Sequence, residues 1–200
     1  RQVHAMQLCE SGSSLTNCVN PATIGNSTAG KTMDLSVRGS AHSFGNAGLI
    51  PPGITYTHGQ VILSRTFTIS GTVVTSAATC KTGGTAGTKT AGGATNNASE
   101  AAQVLMVPNS EDMTTSMNST SAIVDGTDAD PANVEAAHDF VKFRWVLSKP
   151  LTVKPGQIPT MTMTFDLSEA LEFNDGAEGD GECNGNDFYP GAPVVTNTFE

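Results

Sequence analysis

Apolar and polar residues alternate at every second position along several stretches of this chain, and no stretch sustains a 3.6-residue period. In Pro159–Leu167, Met161, Met163, Phe165 and Leu167 fall on one side of an extended segment and Thr160, Thr162, Thr164 and Asp166 on the other. Over Phe140–Leu147, Val141, Phe143, Trp145 and Leu147 alternate with Lys142, Arg144 and Val146, which predicts a second strand with the single Trp in the core. The two segments are expected to pair. Gln60–Val74 reads as two strands, Val61–Ile69 and Thr72–Thr75, broken at Ser70-Gly71, with Arg65 interrupting the apolar face at a bulge. Shorter candidates are Val3–Leu8, Met33–Val37, Val104–Val107, Leu151–Val153 and Val194–Phe199. One short helix is expected from Asp130 as N-cap, with Pro131 at its first position, through Ala137.

These elements predict one all-β domain over residues 1–200, a β-sandwich or jelly roll of about eight or nine strands. Abundant Gly, Thr, Ser, Asn and Ala, with only 14% charged residues, fits short strands joined by many turns. The Gly/Thr/Ala tract 76–99 has almost no apolar anchor and reads as a low-complexity loop. Residues 174–187 read as a second, acidic loop.

The formal net charge is −9, and all of it falls after Lys154, where nine acids meet no Lys or Arg. Without a basic stripe the chain cannot release counterions from a phosphate backbone, so nucleic acid is excluded as a partner. No apolar run reaches the ~20 residues of a membrane-spanning helix. The sequence begins at Arg1, which reads as a secreted or cell-surface chain whose leader segment has been removed.

The four cysteines show no metal-type or redox spacing, and structural disulfides imply an oxidising compartment. Cys9 and Cys18 flank a short polar loop, and their pairing leaves Cys80 with Cys183 as the favoured one of three connectivities. In the acidic loop, glycines between Asp175, Glu178, Asp180, Glu182 and Asp187 allow a tight fold that gathers oxygen ligands for Ca2+, the one candidate cofactor. The EF-hand register is missing there, and a solvated acidic loop is the competing reading. Sequons make Asn26, Asn97 and Asn118 candidate glycosylation sites. His4, Met6 and Cys9 would form a soft copper site only with a free thiolate, which a cystine cannot supply. His42 lies among serines in Gly39–Gly45 without a nucleophile elbow, Gly84–Thr90 lacks the end of a phosphate loop, and Asp166, Glu169 and Glu172 read as strand-edge surface. No catalytic centre is expected, and the chain reads as a non-enzyme.

In its Thr/Gly/Ala/Asn richness, its few charges, its strand-like ends and the Pro51-Pro52-Gly53-Ile54-Thr55-Tyr56 turn leading into Gln60–Ile69, the chain resembles secreted β-sandwich subunits of microbial surface fibres, such as strand-donating pilins and biofilm-matrix fibres. The resemblance is one of class and carries over no individual residue. It implies a structural subunit of an extracellular filament, a homopolymer built by β-strand pairing. Val3 and Ala5 at one end, or Val195 and Phe199 at the other, would be the donated apolar set. The alternative is a secreted adhesin or carbohydrate-binding module, Ca2+-dependent, whose partner is a glycan or a host or neighbouring cell surface; the 6% aromatic content leaves little material for a sugar platform.

Overall fold

The computed structural model describes residues 2–34, 42–64, 66–74, 78–87, 92–95, 99–106, 120–124, 140–168, 171–174, 183, 187–190 and 194–200. Among them the chain is all-β, with antiparallel sheets and a single 3-10 turn at Ala47–Leu49. Its contacts divide it into two compact units: residues 1–64, 109–166 and 192–200 form the first, and residues 65–108 and 167–191 the second.

The first unit holds a five-stranded sheet, β2 (Ala22–Thr32), β1 (Gln2–Glu10), β3 (Thr55–Ser64), β10 (Phe140–Thr152) and β9 (Ser121–Val124), in that order. A two-stranded sheet, β11 (Met161–Asp166) with β14 (Val194–Phe199), belongs to the same unit. One face of the larger sheet carries Met6, Leu8, Val61, Val141, Phe143, Trp145 and Leu147, all buried. Phe143 stacks near Trp145 and meets Phe165 of β11 at 6.3 Å between ring centroids. The alternating segments of β10 and β11 therefore do not pair as expected. Alternation fixes which face of a strand is apolar, not which strand lies beside it, and these two apolar faces meet across two sheets. Gly59 is opposite Trp145 in the ladder, and a Cβ there would lie 2.4 Å from Trp145 Cζ2. Only glycine leaves room for the indole.

The second unit pairs β4 (Thr66–Ile69) with β8 (Gln103–Met106). Its other sheet runs β12 (Leu171–Asn174), β13 (Asp187–Pro190), β7 (Gly92–Thr95), β6 (Thr79–Gly87), β5 (Thr72–Val74). Its buried cluster is small: Cys80, Ala94, Cys183 and Phe188, with Val73 and Ala78 packed against it.

Fourteen strands occupy the described residues, more than the eight or nine read from alternation. Two of the additional ones, β6 and β7, lie inside the tract read as a loop. Strand formation there comes from cross-strand hydrogen bonding and the Cys80–Cys183 bridge rather than from an apolar stripe. The helix expected at 130–137 and Arg65 fall outside the described residues.

Candidate functional site

Both disulfides form as read, Cys9–Cys18 across 9 residues and Cys80–Cys183 across 103, and no described cysteine is free. They are consistent with an oxidising, extracellular compartment. No helix among the described residues is long and apolar enough to cross a membrane.

Of the Ca2+ candidates, Asp175, Glu178, Asp180 and Glu182 lie outside the described residues, and Asp187 is placed only as a backbone position of β13 paired with Asn174 and Gly93. Among the described residues no cluster of three or more His, Cys, Asp or Glu is arranged to hold a metal. Asn26 is exposed on β2, while Asn97 and Asn118 fall outside the described set. His42 Nε2 lies 3.0 Å from the Asp34 carbonyl oxygen. His4 Nε2 is 2.9 Å from Ser64 Oγ and its ring packs edge-on against Phe140.

A polar row that sequence reading missed, exposed at Thr23 and buried from Gln7 to Arg144, crosses the first sheet. Thr23, Gln7, Gln60 and Arg144 are successive ladder neighbours on β2, β1, β3 and β10. Arg144 Nε and Nη2 donate to Gln60 Oε1 at 3.0 and 2.7 Å, and Arg144 Nη1 donates to the Leu15 carbonyl at 3.0 Å. Gln60 Nε2 donates to Gln7 Oε1 at 2.5 Å, and Gln7 Nε2 donates to Thr23 Oγ1 at 3.0 Å. Lys142 and Arg144, which alternation placed outward, are both 0% exposed. The outward side of β10 is therefore covered at these two positions, though not at Val146. The Cys9–Cys18 loop is tied by hydrogen bonds such as Glu10 N to Val19 O and Ser14 N to Asn17 O, and it presents Leu15 to the guanidinium.

Nearby, burial and then the charge of Arg144 push the His58 pKa below its ordinary value. Burial, and then Glu10, raises that of Tyr56. Gln7, Gln60 and Arg144 are sealed from solvent, so they fix register rather than meeting a ligand: a one-residue slip would turn them to the other face. Trp145, placed in the core by alternation, is 0% exposed.

The sheet edges differ in how they are guarded. The β1–β2 ladder has two register shifts, and beside β2 the Asn46 N–H donates to the Ile24 carbonyl and Lys31 Nζ to the Ser43 carbonyl. An open groove of about 490 Å3 between these segments is lined by Asn26, Lys31, Phe44 and Leu49, among others. The outer edge of β14 is met by β10, since Ser148 N donates to Asn197 Oδ1 at 2.9 Å and Ser148 Oγ to the Asn197 carbonyl at 2.5 Å.

Among the described residues the outer edge of β11 has no such guard. Its ladder with β14 runs through six pairs, Met161–Phe199 to Asp166–Val194, without a register shift. Thr160 and Glu200 exchange both backbone hydrogen bonds, at 2.8 and 2.9 Å. The two-residue period then directs the N–H and C=O groups of Thr162, Thr164 and Asp166 to β14 and those of Met161, Met163 and Phe165 away from it. Among the described residues nothing pairs with that outward set.

The segments read as donors are engaged within their own chain. Val3 and Ala5 are buried on β1, with β2 on one side and β3 on the other. Val195 is buried on β14, and both it and Phe199 pair with β11.

No family model, curated protein or solved structure matches the chain.

Proposed function

We propose that the chain is the structural subunit of an extracellular filament, assembled by β-strand pairing between copies. The observation that carries this reading is the regular outer edge of β11, which no segment among the described residues guards. Monomeric β-proteins blunt such edges with bulges, Lys, Pro or a covering segment, because a row of free N–H and C=O groups templates pairing with another chain. Among the described residues β11 has none of these within Met161–Phe165, whereas β2 has two register shifts and a flanking segment. A sealed polar row and two disulfides suit a subunit whose task is to hold its shape.

Of the two segments read as donors, Val194–Phe199 is the less costly one to release. A single ladder and the Ser148 bonds hold it, whereas Val3–Leu8 would have to leave two ladders. Negative-stain microscopy of the purified chain over rising concentration tests the proposal. Fibres are the expected result; isolated particles at every concentration would overturn it and favour the adhesin or carbohydrate-binding module.

A further inference from the structure

From the register of β11 we infer a specific partner for its open edge: the same edge of a second copy, in antiparallel pairing centred on Met163. The inference rests on the reading of β11 as an assembly edge and names what sits on it. Outward-directed residues must oppose outward-directed residues for the backbone bonds to close, so the paired positions sum to an even number. Centring on Met163 gives the fullest overlap of Thr160–Asp166 with its copy. Met161 then lies beside Phe165 of the second copy, Met163 beside Met163, and Thr162 beside Thr164.

Three features make the strand complementary to itself in this register. Met161, Met163 and Phe165 are half-buried on one face, so the second copy extends an apolar surface with Met–Phe and Met–Met neighbours. Thr162 and Thr164 are exposed on the other face and are good strand formers. Asp166, the strand's only charge, falls opposite Thr160, whereas sliding the register until Asp166 met its own copy would set two carboxylates side by side. The product is a continuous sheet, β14-β11-β11-β14, in which no strand leaves its own chain. A two-fold contact of this kind closes at a dimer, so a filament built on it takes a second contact elsewhere on the subunit.

Met161→Pro and Met163→Pro remove outward N–H groups and spare every bond to β14, because the N–H of both residues points away from that strand. In sedimentation velocity the parent chain should associate with rising concentration. Each proline variant should associate more weakly than the parent and form no fibres, with its melting temperature and both disulfides retained. Independently, the Thr162→Cys/Thr164→Cys chain should form disulfide-linked dimers on mild oxidation, since the two positions become cross-strand neighbours of different copies. Proline variants that associate like the parent, or a double-cysteine chain that associates without becoming linked, would overturn the inference. Closed dimers without fibres would keep this contact and remove the filament reading. Fibres that persist in the proline variants would keep the filament and remove this contact, and a parent chain monomeric at every concentration would remove both.

Discussion

In the first compact unit β10 runs 13 residues and buries Val141, Phe143, Trp145 and Leu147, while β3 contributes Tyr56 and Val61. In the second, every strand except β6 is three or four residues long, and the buried cluster is a disulfide with Ala94 and Phe188. Long alternating strands bury enough apolar area to hold a sheet against the entropy of the chain. Short Gly/Thr strands do not, and there a covalent bridge restricts the unfolded state instead. Strand content alone does not reveal this difference; what each strand buries does.

The sharpest way to break the comparison is to open Cys80–Cys183. A closed loop of 103 residues corresponds to about 4.7 kcal/mol of chain entropy. The Cys80→Ser/Cys183→Ser chain should become protease-sensitive within 65–108 and 167–191 first, while the near-UV signal of Trp145 survives. Simultaneous loss of both signals would mean that the two units do not differ in this way.

In the first unit, Gln60→Ala should cost about 3 kcal/mol in denaturant unfolding, because it removes the acceptor of two hydrogen bonds from a buried guanidinium. A cost under about 0.5 kcal/mol, the range of an ordinary surface change, would show that the polar row does not hold register. Opening Cys9–Cys18 closes off a smaller entropic term, about 2.6 kcal/mol for 9 residues. It should also expose Arg144 to solvent by freeing the loop that carries Leu15, which faster modification by a guanidine-specific reagent would register.

The smallest expected effect is on pH dependence. Burial and Arg144 disfavour the protonated form of His58 in the folded chain. Above the ordinary His value of about 6.5 both states are neutral at this residue. As pH falls below it, the unfolded chain takes up the proton first, and stability is lost until the folded His58 itself titrates. His58→Gln should flatten that decline; an unchanged slope would assign it to other groups.

Alternation made β1, β11 and β14 legible, the last with the bounds Val194–Phe199, and it placed Trp145 inside. Cysteine count and spacing gave both bridges. Polar strands were not legible: β2 is mostly exposed and β7 is Gly-Gly-Ala-Thr, so their strand state comes from the neighbours they pair with. Nor was the burial of Lys142 and Arg144, since the cover over Arg144 comes from a loop some 130 residues away in sequence. For β11 the apolar set Met161, Met163 and Phe165 was readable, but its position at an edge unpaired among the described residues depends on where β14 pairs and where β10 meets β14.

Backbone hydrogen exchange at Met161, Met163 and Phe165, followed as a function of concentration, tests the central claim most directly. In dilute solution these three amides should exchange quickly while Thr162 and Thr164, bonded to β14, are protected. At concentrations where the chain assembles, Met161, Met163 and Phe165 should gain protection together. Exchange at these three positions that stays fast in the assembled state would contradict pairing at this edge.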